Sequence, residues 1–373
     1  MPRKTILAAI LPLTLSANIT FLPKNVAGYQ TQDCPGVDHT RSGPDWARLF
    51  EDQADTRAML ILIDGCPLLK AYGPGYNDTN RFVSWSMAKT VTALLVGELV
   101  SDGRLDPDAP APIAEWHRPG DPRSAITLRH LLTMSSGLRH TEVGVPVEAS
   151  DTNQVLFVSG TRHMAADAIA QPLEARPGEK WEYSSLTSLI LAEIVTRTLT
   201  DSQDPRVRAA AYTRFAQERL FGPAGIRSAK LEFDGAGTQI GGSLIYMSLP
   251  DWGRFGQLLI DGRANGAEVI APDWLDFMRR PAGTTGDYGG QTWLNRPARP
   301  GAPAMFPGAP ASTVSAEGHL GQHVTVVPEY RIVVVRLGNT REDRIDGNHR
   351  AIGRIIAAVV REHLPTREPE PVN

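Results

Sequence analysis

Strand-like apolar runs stand near both ends of this chain, and the stretch between them carries helical periodicity. Met59-Leu60-Ile61-Leu62-Ile63 is a run of strand length, and Asp64-Gly65 supplies a hairpin turn before Cys66-Pro67-Leu68-Leu69. Near the other end, His323-Val324-Thr325-Val326-Val327 and Ile332-Val333-Val334-Val335 form a second pair of runs, joined through Pro328-Glu329-Tyr330. Between them, Val91, Leu94, Leu95 and Leu99 recur at helical spacing with Gly103 as a stop, and Leu189, Ile190, Ile194 and Val195 repeat the pattern. Such an order predicts an α+β fold: an antiparallel sheet made from both chain ends and flanked by helices, with a mostly helical part inserted. The boundaries fall at about 40–80 and 236–365 for the sheet part and about 81–235 for the helical part. A cleft between the two is the expected site.

Two more helices complete the pattern. Ser248-Leu249-Pro250-Asp251 reads as a capped helix start carrying Trp252, Phe255, Leu258 and Leu259. The last helix sets Ile352, Ile355, Ile356, Val359 and Val360 on one face, where they would cover the sheet. Residues 283–316, rich in Gly, Pro and Ala, predict a long surface loop, and the tail Arg367-Glu368-Pro369-Glu370-Pro371 is expected to fray.

The N-terminus has its own logic. Pro2-Arg3-Lys4 precedes the short apolar run Thr5 to Leu13 and the small residues Ser16-Ala17, as in a secretory signal peptide. The expected division is a leader over 1–27, cleaved after Ala17 or Ala27, and a mature domain over 28–373, exported to the periplasm or secreted. The alternative is an uncleaved N-terminus that anchors the protein to a membrane; the rest of the chain has no run of transmembrane length. Cys34 and Cys66 are the only cysteines, too few for a disulfide scaffold or a cysteine-rich metal site. In an exported protein they either pair, tying the mature N-terminus to the first hairpin, or stay free.

A net charge of -3 and the absence of a basic run remove the usual footprint for nucleic acid and leave a small molecule or peptide as the expected partner. No G-x-S-x-G and no H-E-x-x-H is present, which disfavours an α/β-hydrolase elbow and a zinc protease, and neither a metal nor a cofactor is expected. The doublets Gly241-Gly242 and Gly289-Gly290 read as turn chemistry.

Ser86-Met87-Ala88-Lys89 is the one S-x-x-K in the chain, and its offset of three puts hydroxyl and amine on neighbouring positions of one helical turn. Lys89 leads into the apolar run Val91 to Val100, and desolvation there lowers a lysine pKa until the amine serves as a base. Ser86 falls in the first turn, where free N–H groups favour developing negative charge. The bland alternative is a serine near an N-cap and a lysine snorkelling from a helix end.

With these residues in place the sequence resembles the serine β-lactamases of class C type and the related esterases, D-amino-acid peptidases and 6-aminohexanoate-dimer hydrolases. The resemblance runs from about Leu60 to Leu364. It rests on Phe82-Val83-Ser84-Trp85-Ser86-Met87-Ala88-Lys89-Thr90, on Leu99 to Asp106 and on Ile126-Thr127-Leu128-Arg129-His130-Leu131-Leu132-Thr133-Met134-Ser135-Ser136-Gly137-Leu138. It implies a β-lactamase/transpeptidase-like fold with Ser86 as acylating nucleophile and Lys89 as its proton acceptor. The family's Tyr-x-Asn is matched by Tyr183-Ser184-Ser185, so Tyr183 is the expected proton shuttle, while Ser185 stands where β-lactamases hold substrate with a carboxamide. The family's Lys-Thr-Gly is matched by His319-Leu320-Gly321: Gly321 would admit the substrate backbone, the Gln322 N–H would join that of Ser86 as an oxyanion hole, and His319 would polarise or hydrogen-bond.

Ser185 and His319 both depart from β-lactamase practice, so linear amides or esters are expected ahead of β-lactams. The alternatives are a D-peptidase, carboxypeptidase or β-lactamase acting on cell-wall-related substrates, or a noncatalytic ligand-binding scaffold. The sequence leaves the natural substrate and the oligomeric state open.

Overall fold

A computed structural model describes residues 28–30, 34, 55–283 and 285–364. The expected leader over 1–27, the start of the sheet part before residue 55 and the tail after Leu364 lie outside the described residues.

The two apolar runs do meet in one sheet. Its strands are β1 (Gly28–Gln30), β2 (Thr56–Ile63), β3 (Cys66–Tyr72), β4 (Trp293–Leu294), β5 (Val314–Gly318), β6 (Gln322–Val327) and β7 (Ile332–Gly338). The spatial order is β1-β3-β2-β7-β6-β5-β4 and every pair is antiparallel. The decisive pairing is β2 with β7, which sets Ile61 opposite Val334. Asp64 and Gly65 both have positive φ, +50° and +78°, the backbone that a two-residue turn between β2 and β3 requires. Cys34 and Cys66 are disulfide-bonded, their Cα atoms 5.7 Å apart.

Why the run Met59–Ile63 is apolar at every position follows from what covers the sheet. Leu60 and Leu62 share a core with Trp252 and Phe255 of helix α3 (Leu249–Asp261), whereas Met59, Ile61 and Ile63 pack with Ile352, Ile355, Ile356 and Val359 of helix α4 (Ile345–His363). With helices on both faces, alternation gives no advantage and each side chain removed from water contributes about 1.5–3 kcal/mol. Ser248 caps α3 as expected, accepting from the Asp251 amide.

The inserted part is helical and holds two buried helices, α1 (Met87–Ser101) and α2 (Ser185–Leu199). Gly103, at φ +67°, follows α1 as its stop. Among the described helices none is long and apolar enough to cross a membrane.

The segment expected as a long surface loop is only partly one. Tyr288, Gln291, Thr292, Asn295 and Phe306 are buried, β4 and the start of β5 lie within it, and the Asn295 amide donates to the carbonyls of Phe306, Ala309 and Pro310. Its Gly and Pro content signalled irregular backbone, but irregular backbone can be buried once a side-chain amide satisfies its carbonyls.

Candidate active site

The nucleophile candidate is held by a turn that its neighbours fix. Phe82–Val83 pairs with Ile245–Met247 in a small second sheet, the Ser84 amide donates to the Ile245 carbonyl (2.7 Å), and the Ser84 hydroxyl donates to the Ser243 carbonyl (2.7 Å). Trp85 then takes φ +42°, a left-handed conformation that costs a non-glycine residue about 1–3 kcal/mol and reverses the chain into α1. Ser86 follows as the N-cap of α1 and is half-buried, so its hydroxyl stays within reach of solvent.

Lys89 is 1 % exposed. Its Nζ donates to Ser86 Oγ (2.8 Å), Ser185 Oγ (2.9 Å) and the Gly242 carbonyl (3.1 Å), and it lies 4.7 Å from the ring centre of Tyr183. Burial pulls its pKa down to about 8, against the opposing charge of Glu142. Tyr183 reaches Ser86 through its phenol and stacks on Trp293, with 5.5 Å between ring centres. Burial and then the Glu142 charge push the phenol well above its ordinary pKa, while the Ser86 hydrogen bond acts the other way. The three side chains that the motifs singled out are therefore in mutual contact.

Glu142, which the sequence reading did not single out, completes the group. Its Oε2 accepts from the Ser185 amide (2.7 Å) and Thr152 Oγ1 (2.9 Å) and lies 2.6 Å from His140 Nε2, while its Oε1 accepts from Ser185 Oγ (2.6 Å). Burial alone would raise this carboxyl, but the His140 hydrogen bond and the charges of Lys89 and His140 outweigh it and bring the pKa down to about 2. Only the short distance from Leu138 in the Ser-Ser-Gly-Leu segment hinted at Glu142; nothing in its own neighbours marked it.

Over the same stretch, the family profile described as Beta-lactamase matches residues 46–357. The chain belongs to the β-lactamase family. Among its relatives in that family is the 6-aminohexanoate-dimer hydrolase of Paenarthrobacter ureafaciens, 23% identical over 318 residues that cover 79% of this chain and 75% of the relative. Two solved structures show the likeness of fold. One is a protein of Bacillus anthracis assigned as a 6-aminohexanoate-dimer hydrolase (TM-score 0.66, 20% identity, 90% of this chain and 88% of that one). The other is EstCE1, described as a hydrolase with promiscuous acyltransferase activity (TM-score 0.60, 16% identity, 83% and 96%). The chain is thus similar in sequence to a 6-aminohexanoate-dimer hydrolase and in fold to a hydrolase with promiscuous acyltransferase activity.

The remaining residues that the β-lactamase resemblance suggested fall in different places. His319 follows the end of β5, exposed, with its ring edge-on to Trp85 at 5.4 Å between centres and its Nδ1 3.3 Å from Glu342 Oε1. Gly321 does not present its Cα to a substrate. A Cβ there would stand 2.5 Å from the Arg336 guanidinium and from the Asn348 amide, and φ is +77°, so the turn and the packing beneath it demand the glycine. Gln322 is set back from the nucleophile turn. It lies on β6, one strand further from the nucleophile turn than β5, and its side chain donates to the carbonyls of His319, Leu320 and Gly338 while accepting from the Gly338 amide. The strand end beside Ser84 is Gly318, where a Cβ would stand 2.3 Å from the Ser84 carbonyl oxygen. Because β4 pairs only with Val314 and Ser315, the edge of β5 beyond them is not covered by β4. Ser185 neither faces the solvent nor substitutes for a carboxamide; it is 2 % exposed and joins Lys89 to Glu142. Gly242, read from sequence as turn chemistry, places its carbonyl on Lys89.

Proposed function

We propose that this protein is a serine hydrolase that cleaves a linear amide or ester through an acyl-enzyme on Ser86. The observation that carries the reading is the hydrogen-bond accounting at Lys89. A neutral amine has two N–H donors and one lone pair. The Gly242 carbonyl can only accept. The Ser185 hydroxyl gives its own proton to an ionised Glu142, so towards Lys89 it too can only accept. Both donors are then spent, and the lone pair is left for the Ser86 hydroxyl at 2.8 Å. Glu142 and Ser185 thereby orient the base, and burial sets its proton affinity near working pH.

In the proposed reaction the Ser86 Oγ–H proton passes to Lys89 as Oγ bonds to the substrate carbonyl carbon. The developing ammonium sits over the Tyr183 ring and opposite Glu142, both of which favour it. Tyr183, kept protonated, hands its phenolic proton to the leaving nitrogen or oxygen, and the Lys89 ammonium beside its ring returns one to the phenolate. Water then attacks the acyl carbon, the proton path runs in reverse, and Ser86 is restored. The oxyanion is assigned to the Ser86 amide and to the amide of His319, the residue that follows Gly318 at the strand end beside Ser84.

Two observations support linear, uncharged substrates. Ser185 is fully engaged, leaving no carboxamide to hold a lactam. Of the large apolar side chains exposed among the described residues, five of six lie between 143 and 158, on the segment that begins beside Glu142 and packs Phe157 against Trp85. An apolar rim favours an apolar acyl or amine portion. Export is proposed as well, supported by the Cys34–Cys66 disulfide, a bond that persists in oxidising compartments. A panel of nitrophenyl esters, linear amides, D-amino-acid peptides and a chromogenic cephalosporin, with a fluorophosphonate probe for labelling of Ser86, tests the function. Failure of the probe to label wild-type protein would favour the ligand-binding scaffold.

A further inference from the structure

On the far side of the sheet from α1, three side chains from three elements converge. Glu317 on β5 stands opposite His323 on β6, and both point towards His349 in the second turn of α4. Glu317 Oε2 lies 2.7 Å from His323 Nδ1 and 2.9 Å from His349 Nε2, and one donor atom from each of the three lies within 4.8 Å of the others. The second carboxylate oxygen, Oε1, accepts from Ser315, which is fixed in turn by Thr325 at 2.9 Å. One oxygen is thus anchored and the other is aimed between two imidazoles.

His323 gives the cluster its second, independent feature. It is 1 % exposed, yet neither ring nitrogen has a hydrogen-bond partner: the approach of Glu317 has the distance of such a bond but not the direction. A buried polar group left this way costs roughly 1–3 kcal/mol. Phe306 packs edge-on against His349, with 5.3 Å between centres, and shuts one side with apolar surface. The Glu317 and His349 side chains retain 13% and 16% exposure, an opening for a small ion.

We propose that Glu317, His323 and His349 form a binding site for a divalent cation of the zinc class, outside the catalytic group. Two imidazole nitrogens and one carboxylate are the donor set that zinc takes in three-ligand protein sites, and Ser315 is the outer partner that orients the carboxylate. Bond lengths of about 2.0–2.1 Å require donors roughly 3.3 Å apart, so the two oxygen–nitrogen separations expand slightly and the widest separation closes by rotation of the imidazoles. The ion would tie α4 to the β5–β6 hairpin, whose turn carries His319.

The test uses untagged full-length protein stripped with chelator and titrated with zinc chloride by calorimetry, calcium chloride serving as the comparison. One zinc per chain with Kd of about 1 µM or tighter, no heat with calcium, and a Tm rise of about 5 °C at a hundredfold excess are expected. His349→Ala, at the solvent side of the cluster, should weaken binding by a factor of about 100, and Glu317→Gln by at least about 10, with far-UV circular dichroism confirming the fold. An exposed-histidine control, His163→Ala, should bind as wild type. No saturable zinc binding to the wild-type protein would overturn the site, leaving the three residues as a hydrogen-bonded cluster. Undiminished binding to folded His349→Ala would overturn it as well.

Discussion

Ser185 gives Glu142 both of its donors, the amide to Oε2 at 2.7 Å and the hydroxyl to Oε1 at 2.6 Å. Because the hydroxyl proton is committed there, the same oxygen can do nothing but accept from Lys89. Ser185→Ala should therefore lower kcat by roughly 10–100-fold, since the base loses one of the two acceptors that aim its lone pair. Ser185→Asn, which restores the residue common in β-lactamases, should not restore activity: its larger side chain meets Glu142 in a space already filled. Steady-state kinetics on one ester substrate check both, and wild-type kcat in Ser185→Ala would remove Ser185 from the machinery.

Ser86→Ala should abolish hydrolysis and probe labelling with little change in Tm, because the lost hydroxyl is half-buried and its neighbours Ser84 and Trp85 are held elsewhere. Lys89→Arg should be nearly as damaging, as a guanidinium stays protonated and cannot take the serine proton. Substantial ester hydrolysis by either purified variant would contradict the mechanism.

The pH dependence follows from which form of Lys89 is active. With its pKa lowered to about 8 by burial, the amine is mostly protonated at neutrality, so kcat/KM should climb as pH rises through about 8 and then level off. Glu142 raises the Lys89 pKa, so Glu142→Gln should shift the rising limb to lower pH while reducing the plateau, because the amide can send an N–H to Ser185 and disturb its orientation. A purely structural loss would lower the curve without moving it along the pH axis.

Esters and linear amides should be turned over better than a cephalosporin on the same preparation, and ester kcat/KM should increase with acyl length against the apolar rim. A tenfold preference for the cephalosporin would mean that Ser185 and His319 have been misjudged as departures.

Gly241→Ala should destabilise the fold by about 1–3 kcal/mol and depress activity together. A Cβ there would stand 2.8 Å from the Ala192 methyl and 2.9 Å from the Ser188 carbonyl and Thr92 Oγ1, wedging α2 against α1 one residue before the carbonyl that holds Lys89. Thermal unfolding and ester assays on the same sample measure the two effects.

Much of this arrangement could be read in the residues. The hairpin at Asp64-Gly65 and the cap at Ser248 follow from local chemistry, the shared sheet of the end strands from the order of strand-like and helical runs, and the S-x-x-K offset placed Lys89 against Ser86 without any tertiary knowledge. Glu142 was illegible for the opposite reason. Its significance depends on a loop crossing above α2 to meet Ser185, 43 residues away in the chain, and no local pattern encodes such a crossing. For Gly321 and Gln322, motif alignment gives the order of residues but not which strand lies beside the nucleophile, and only the sheet order and the contact of Gly318 with Ser84 supply that. His323 and His349 looked like scattered histidines until β6 and α4 brought them to one carboxylate.

The sheet joins the two ends of the chain, and Arg336 on β7 donates to Thr56 on β2 across 280 residues of sequence. During synthesis the first hairpin therefore emerges with one edge and both faces uncovered, and it waits for nearly the whole polypeptide before β7 and α4 exist to cover it. Folding should be slow and all-or-none at this seam. A nascent chain halted before residue 332 would be a target for chaperones or proteases rather than a smaller working enzyme.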